Sequence, residues 1–251
     1  MKNLKVVFMG TPDFAVPVLE ALLQNTNVVL VVSQPDKVVG RKQLVEPTPI
    51  KKVALANNIE IYQPFKIKDE YEKILNVKPD IIITCAYGQI IPEILLNAPR
   101  LGCINVHASL LPKLRGGAPI HHAIIDGETK TGVTIMYMDK TMDTGAIISQ
   151  KEYQIKDTDN VETLHNILSK IGAELLIETL PSIIEGTNSK VPQNNLEATY
   201  AWNINREDEH LNFNKTAKEV YNQVRGLNPW PKAYSIINEN EVKILECFIG
   251  N

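Results

Sequence analysis

The sequence predicts an α/β fold: a central, mostly parallel sheet followed by a small β-rich tail. Three features carry that expectation. Short runs of β-branched residues alternate with amphipathic helical patterns from the first residues onward, which is the pattern of βαβ units. One run, Asp80 to Ala86 (DIIITCA), is continuously apolar, as expected of a strand covered on both faces. In the last fifty or so residues the pattern becomes one helix followed by strand-like pieces joined by a turn.

Leu4 to Met9 is a β-branched apolar run ended by Gly10 and reads as the first strand. Thr11 to Asp13 then precede a helical pattern that sets Ala15, Val18, Leu19, Leu22 and Leu23 on one face. Val28 to Ser33 is a second strand. Gln34 to Pro49 differs in kind: Pro35, Gly40, Pro47 and Pro49 alternate with Lys37, Arg41 and Lys42. It reads as a long polar loop, a type of segment that is usually functional or disordered. A helix is expected from about Pro49 to Asn57, a short strand near Ile59 to Tyr62, and a short helix over Ile90 to Asn97. Gly102 to His107, Gly132 to Met138 and Ala146 to Tyr153 are further strands. Val161 to Glu185 is a long amphipathic helix with Leu164, Ile167, Leu168, Ile171, Leu175, Ile183 and Ile184 on its inner face. The pattern breaks near Pro192 to Asn203. Beyond it come a helix over Lys215 to Gly226 and two strand-like pieces, Ala233 to Ile237 and Glu241 to Phe248. The turn Asn238-Glu239-Asn240 joins them as a hairpin. The expected division is therefore 1–190, a linker 191–203, and 204–251.

The bulk composition excludes several classes. The apolar share of 44% and charged share of 22% are ordinary for a globular protein, and no stretch has the length of a membrane span. The first ten residues lack the apolar length and cleavage site of a secretory signal. A net charge of −3 gives no global nucleic-acid footprint, so any contact with RNA must come from a local basic patch. Cys85, Cys103 and Cys247 are sparse and odd in number, which fits a reducing cytoplasm, and no Cys/His spacing suggests a metal. Cys85 and Cys103 lie in apolar runs and are expected to be buried small hydrophobes.

The chemistry concentrates in three places. In Asn105-Val106-His107, strand alternation puts an amide and an imidazole on one side at a strand end, where open α/β sheets receive their ligands. A lone histidine there would be ordinary loop chemistry; its neighbours make it a candidate. Ala108 to Ile120 follows directly, with three leucines, two prolines and two glycines that preclude a regular helix or central strand. Such a rigid, apolar loop could grip a flat ligand, whereas connecting loops are normally polar. Met142-Asp143-Thr144-Gly145 offers a carboxylate that could orient the imidazole, although Asp-Thr-Gly is equally ordinary turn chemistry. A single glycine in Gly10-Thr11-Pro12-Asp13 weighs against a dinucleotide site, and no GxSxG, Walker A or HExxH pattern occurs.

Taken in order, GTPDFA (10–15), QPD…GR (34–41), AYG (86–88), GCINVHASLLPKLRGGAPI (102–120), GVTIM with MDTG (132–145) and RGLNPWP (225–231) resemble the folate-dependent formyltransferases. Within that superfamily, QPD…GR and NPWP are similar to the enzymes that formylate methionyl-tRNA. The resemblance runs over essentially the whole chain. It implies a Rossmann-like formyltransferase domain followed by an OB-like β-barrel. It implies transfer of the formyl group of 10-formyltetrahydrofolate to the methionine amine of initiator Met-tRNA, by a cytoplasmic monomer that needs neither metal nor membrane. The family's catalytic asparagine, histidine and aspartate fall on Asn105, His107 and Asp143. Its folate contacts fall on Ser109, Leu110, Leu111 and Pro112, with Tyr87 and Gly88 from AYG. Its tRNA contacts fall on Arg41, with Lys42 and Lys37 beside it. The resemblance also implies a longer barrel than 204–251, which is apparently truncated and holds six Lys/Arg against seven Asp/Glu. The alternatives are a sugar-nucleotide N-formyltransferase, and a folate-binding protein with little turnover.

Overall fold

The computed structural model describes residues 1–39 and 44–250. The chain divides into two compact units, the first made of 1–107, 133–150 and 169–193, the second of the remaining segments.

In chain order the elements are β1 (Lys5–Gly10), α1 (Val16–Asn25), β2 (Asn27–Val32), β3 (Lys37–Val39), β4 (Leu44–Glu46), α2 (Pro49–Ala56), β5 (Ile61–Tyr62), α3 (Glu72–Asn76), β6 (Ile81–Cys85), α4 (Glu93–Leu96), β7 (Cys103–His107), α5 (Pro119–Ile125), β8 (Lys130–Tyr137), β9 (Ile147–Gln154), α6 (Val161–Glu185), α7 (Ala217–Leu227), β10 (Ala233–Ile237) and β11 (Asn240–Ile244).

A seven-stranded sheet of order β5-β2-β1-β6-β7-β8-β9 runs through the first unit. The pairs β1–β2, β2–β5, β1–β6 and β6–β7 are parallel, and β7–β8 is antiparallel. Chain order reverses between β1 and β6, so the carboxyl ends of those strands form the crevice that a parallel sheet offers a ligand. Register sets Gly10 beside Cys85 and Thr84 beside Asn105, so His107 lies at the same end of the sheet.

Alternation along β1, β6 and β7 divides the sheet into two faces. Val7, Met9, Ile82 and Cys103 share a core with Leu30, Ile74 and Leu95. Asn105 and His107 continue that face of β7. Val106 points the other way and packs under α6. A Cβ placed on Gly172 of that helix would sit 2.9 Å from Val106 Cγ1, so only glycine permits the approach. The buried stripe of α6 includes the expected Leu164, Leu168, Leu175 and Ile183, and is widened by Leu176 and Leu180. Cys85 and Cys103 are buried as expected; burial pushes the Cys103 thiol up to about 12 and Cys85 higher still.

Two expectations change. Residues 34–49 are not all loop: Lys37–Val39 and Leu44–Glu46 pair antiparallel, with Lys37 opposite Glu46. Valines 38, 39 and 45 favour an extended backbone and outweighed the turn residues around them. Ile90 is exposed, and the helix following it is only Glu93–Leu96.

In the second unit α5 packs on α7, where a Cβ on Gly226 would meet Ile125 Cγ1 at 2.6 Å. Thr216 and Glu219 form a reciprocal cap at the start of α7. β10 and β11 make the expected hairpin, with Asn238 and Glu239 both left-handed at its tip, although β11 ends at Ile244 rather than near Phe248. Leu211, Val224, Leu227 and Ala233 form the local core. Among the described residues no helix is long and apolar enough to cross a membrane.

Candidate active site

The end of β7 brings two of the expected groups together in the first unit, and the β8–β9 loop brings the third. Asn105 is half-buried, and the Thr84 hydroxyl on neighbouring β6 donates to its Oδ1 at 2.8 Å. That bond fixes the amide oxygen side, and among the described residues the amide nitrogen carries no hydrogen bond. His107 is buried, and its Nδ1 lies 3.7 Å from Asp143 Oδ1. This is ion-pair distance when the imidazole is protonated, and longer than a direct hydrogen bond.

The loop that carries Asp143 is held in an unusual shape. Asp143 is left-handed, with φ +55°. Gly145 passes so close to β8 that an added Cβ would lie 1.8 Å from the Tyr137 carbonyl oxygen. Asp139 accepts from the Thr141 N–H at 2.9 Å and the Thr144 hydroxyl at 2.7 Å, which knots the loop internally. Gln193 closes it from outside: its Nε2 donates to the carbonyls of Asp143 and Gly145, each at 2.8 Å. Gln193 lies in the segment expected to be linker, and nothing in its local pattern marks it as part of a site.

The turn Ala86-Tyr87-Gly88 leaves the end of β6 with Ala86 at φ +48° and Gly88 at φ +84°. The Tyr87 ring is buried in the core of the first unit, its hydroxyl has no hydrogen-bond partner among the described residues, and burial drives its ionisation upward. The exposed part of this turn is therefore Ala86 and Gly88, not the phenol. Thr11 and Gln34 both donate to the Tyr87 carbonyl at 3.0 Å.

In the second unit, Ser109 is fully buried and donates to the Lys113 carbonyl at 2.6 Å; Leu111 is buried, Leu110 and Pro112 are half-buried, and Leu111-Pro112 is a cis peptide. The later part of that loop has a duty the sequence did not reveal. Arg115 is 1% exposed; its N–H donates to the Thr199 carbonyl at 2.9 Å and its Nη2 to Asn195 at 2.9 Å. Gly116 and Gly117 leave room for the passing chain, since added Cβ atoms would lie 2.5 Å from the Ala201 carbonyl oxygen and 2.0 Å from Asn203. The Arg-Gly-Gly half of the loop thus seats residues 195–203.

Of the expected tRNA contacts, Lys37 is exposed on β3, while Arg41 and Lys42 lie outside the described residues. Among the described residues no three His, Cys, Asp or Glu side chains come together as a metal site.

The sequence profile of the family described as formyl transferase matches residues 3–180, and that of the formyl transferase C-terminal domain matches 203–251. The chain belongs to the formyl transferase family. Its curated relatives include the methionyl-tRNA formyltransferases of Staphylococcus epidermidis, 55% identical over 247 residues, and of Staphylococcus aureus, 56% identical over 245. These alignments cover 98% and 97% of this chain and 80% and 79% of the relatives. Among solved structures, the sugar 3N-formyltransferase WlaRD, determined with dTDP and 5-N-formyl-THF, superposes with a TM-score of 0.75 at 25% identity, covering 100% of this chain and 88% of that one. A 4-N formyltransferase from Francisella tularensis superposes at 0.76 with 22% identity and 98% of each chain, a likeness of fold alone. The formyl transferase fold therefore accounts for the Rossmann-like sheet and for the strand-bearing C-terminal segment.

Proposed function

We propose that this chain transfers the formyl group of 10-formyltetrahydrofolate to the α-amine of methionine on initiator Met-tRNA. The observation that carries the reading is the end of β7, where an amide donor oriented by Thr84 stands two residues from an imidazole facing a carboxylate. The substrate assignment leans on relatives near 55% identity being methionyl-tRNA formyltransferases, against 25% for the sugar 3N-formyltransferase WlaRD. The site suits a formyl-folate co-substrate in two respects. Asn105 has an amide nitrogen to donate, and the left-handed turn 86–88 leaves the β6 end of the sheet where ligands are received.

When bound, 10-formyltetrahydrofolate supplies an activated formamide carbon. Asn105 Nδ2 and the protonated His107 ring donate to the oxygen that gains negative charge as the amine adds, each contributing on the order of 3 kcal/mol. Asp143, with its Oδ1 3.7 Å from His107 Nδ1, steers the proton that leaves the amine and returns to the folate nitrogen. Neither buried cysteine serves as a nucleophile, because burial keeps both thiols protonated. Ser109, Leu110, Leu111 and Pro112, with Tyr87 and Gly88, are assigned to folate; Lys37, Arg41 and Lys42 to the tRNA acceptor end. Residues 1–190 form the catalytic part, 191–203 the linker and 204–251 the C-terminal domain of a cytoplasmic monomer.

The test is formyl transfer from 10-formyltetrahydrofolate with Met-tRNA and an amino-sugar nucleotide as competing acceptors. Formyl-Met-tRNA is the expected product. Formylation of the sugar alone would overturn the acceptor assignment. Wild-type single-turnover chemistry in His107→Ala would overturn the mechanism.

A further inference from the structure

Three segments that together span 76 positions of sequence meet at one backbone atom in the first unit. The Tyr87 carbonyl accepts from the Thr11 hydroxyl at 3.0 Å and from Gln34 Nε2 at 3.0 Å, and the Gln34 N–H lies 3.4 Å from Thr11 Oγ1. Tyr87 sits between two left-handed residues, so its peptide is held by these donors in a conformation an unsupported chain would rarely keep. The packing is tight as well: a Cβ on Gly88 would lie 2.5 Å from Gln34 Nε2.

Gln34 is at the same time the foot of the β3–β4 hairpin. Its carbonyl accepts from Gln63 Nε2 at 2.8 Å, and the same nitrogen donates to Asp36 Oδ1 at 2.7 Å. Asp36 Oδ2 pairs with Lys51 of α2. Burial acts to raise the Asp36 pKa, yet hydrogen bonds from Gln63 and Lys51 hold it below the usual carboxylate value. At the returning foot, Thr48 bonds the buried Ser33 hydroxyl at 2.8 Å and caps α2 through the Lys51 N–H at 3.1 Å. Both feet of the hairpin are thereby fastened to residues 33–36, and residue 34 reaches onward to the 86–88 turn.

We propose that Gln34 is a positioning residue that links acceptor binding at the hairpin to folate binding at the Tyr87–Gly88 turn. The inference rests on the proposed function, which assigns the hairpin to tRNA and the turn to folate. A load on the hairpin that shifts its foot moves the Gln34 amide, and the amide carries the Tyr87 peptide with it. Linkage is reciprocal, so each substrate tightens the other by the same factor.

The experiment measures the Kd of 5-formyltetrahydrofolate, a folate that does not donate its formyl group, with and without saturating Met-tRNA. The intact chain is expected to bind this folate at least about fivefold tighter when Met-tRNA is present. Gln34→Ala, and Gln34→Glu, which sets a carboxylate against the carbonyl, should collapse that ratio to about one. A side chain that merely supports the fold would change both Kd values alike and leave the ratio intact. Thr11→Ser should keep the linkage and Thr11→Val lose it, which holds the test open if the Gln34 variants melt early. An unchanged ratio in Gln34→Ala, or no linkage in a wild-type chain that binds both substrates and turns them over, overturns the proposal alone. A wild-type chain that neither binds nor formylates Met-tRNA overturns the proposed function and this inference together.

Discussion

Gln193→Leu removes the outer fastening of the Asp143 loop with little change in side-chain volume. The wild-type amide makes two bonds of 2.8 Å to the carbonyls of Asp143 and Gly145. At about 1 kcal/mol net for each, the variant loses about 2 kcal/mol of support for this loop. Asp143 is left-handed, a state about 1 kcal/mol less favourable than the right-handed one. The tether thus outweighs the strain, and once it is gone the strain can relax by moving Asp143. The carboxylate then leaves its 3.7 Å station beside His107. A displacement of about 1 Å in such a group lowers kcat by up to about 100-fold. In the proposed mechanism Asp143 acts in the chemical step, so the KM values for folate and Met-tRNA should change by no more than about threefold. Single-turnover formylation, with thermal melting as a control for folding, measures the effect. The sharper assay is the double variant: Gln193→Leu placed on Asp143→Asn should lower kcat no further, because both changes act through one carboxylate. Full additivity, or a kcat for Gln193→Leu within about twofold of wild type, would refute the reasoning.

Three further outcomes are expected. Thr84→Val keeps the shape of the side chain and removes the hydroxyl that orients Asn105, so kcat should fall about tenfold with both KM values nearly unchanged, whereas Asn105→Ala should cost about 100-fold or more. Gly116→Ala puts a Cβ 2.5 Å from the Ala201 carbonyl oxygen at φ +122°, and should destabilise by about 2 kcal/mol or more, lowering Tm by roughly 4–8 °C in a melting experiment. His122 hydrogen-bonds Asp126, which raises its pKa against the opposing effect of burial, with the Trp202 carbonyl and Asp208 acting the same way. Its folded pKa is above its unfolded one, so its stabilisation is full below about pH 6.5 and fades as pH rises through the folded value. The Tm difference between wild type and His122→Gln should therefore be largest in acid and shrink toward alkaline pH. Neighbouring His121 has its pKa lowered, chiefly by burial and in part by the charge on His122, so His122→Gln also relieves His121 and the comparison reads both histidines.

The strands were legible because their cause is local. β-branched runs such as 81–85 and the alternation through Asn105 and His107 need no distant partner to be recognised, and both appear where expected. The β3–β4 hairpin was obscured by the prolines and charges around it, which report turn chemistry without reporting the pairing of Lys37 with Glu46. Gln193 and Thr84 were invisible for a different reason. Each works through one hydrogen bond donor aimed at a residue 20 to 50 positions away, and sequence periodicity holds no record of that aim. The Arg115-Gly116-Gly117 stretch was conspicuous, but its purpose was not: a tight passage for residues 195–203 and a rigid loop for a ligand call for the same small residues.

The approach of α6 to β7 at Gly172 has a consequence for how the site can be disturbed. The strand that presents Asn105 and His107 on one face rests on that helix through Val106 on the other, with no room for a single methyl group between them. The depth of these two proposed catalytic groups is thus set by the thickness of the layer behind them. Val106 is β-branched and can yield little by rotation. A substitution at residue 172, or a small molecule that wedged into this seam, would reach the chemistry from the rear, shifting donors by tenths of an ångström while every residue that meets a substrate stayed unchanged.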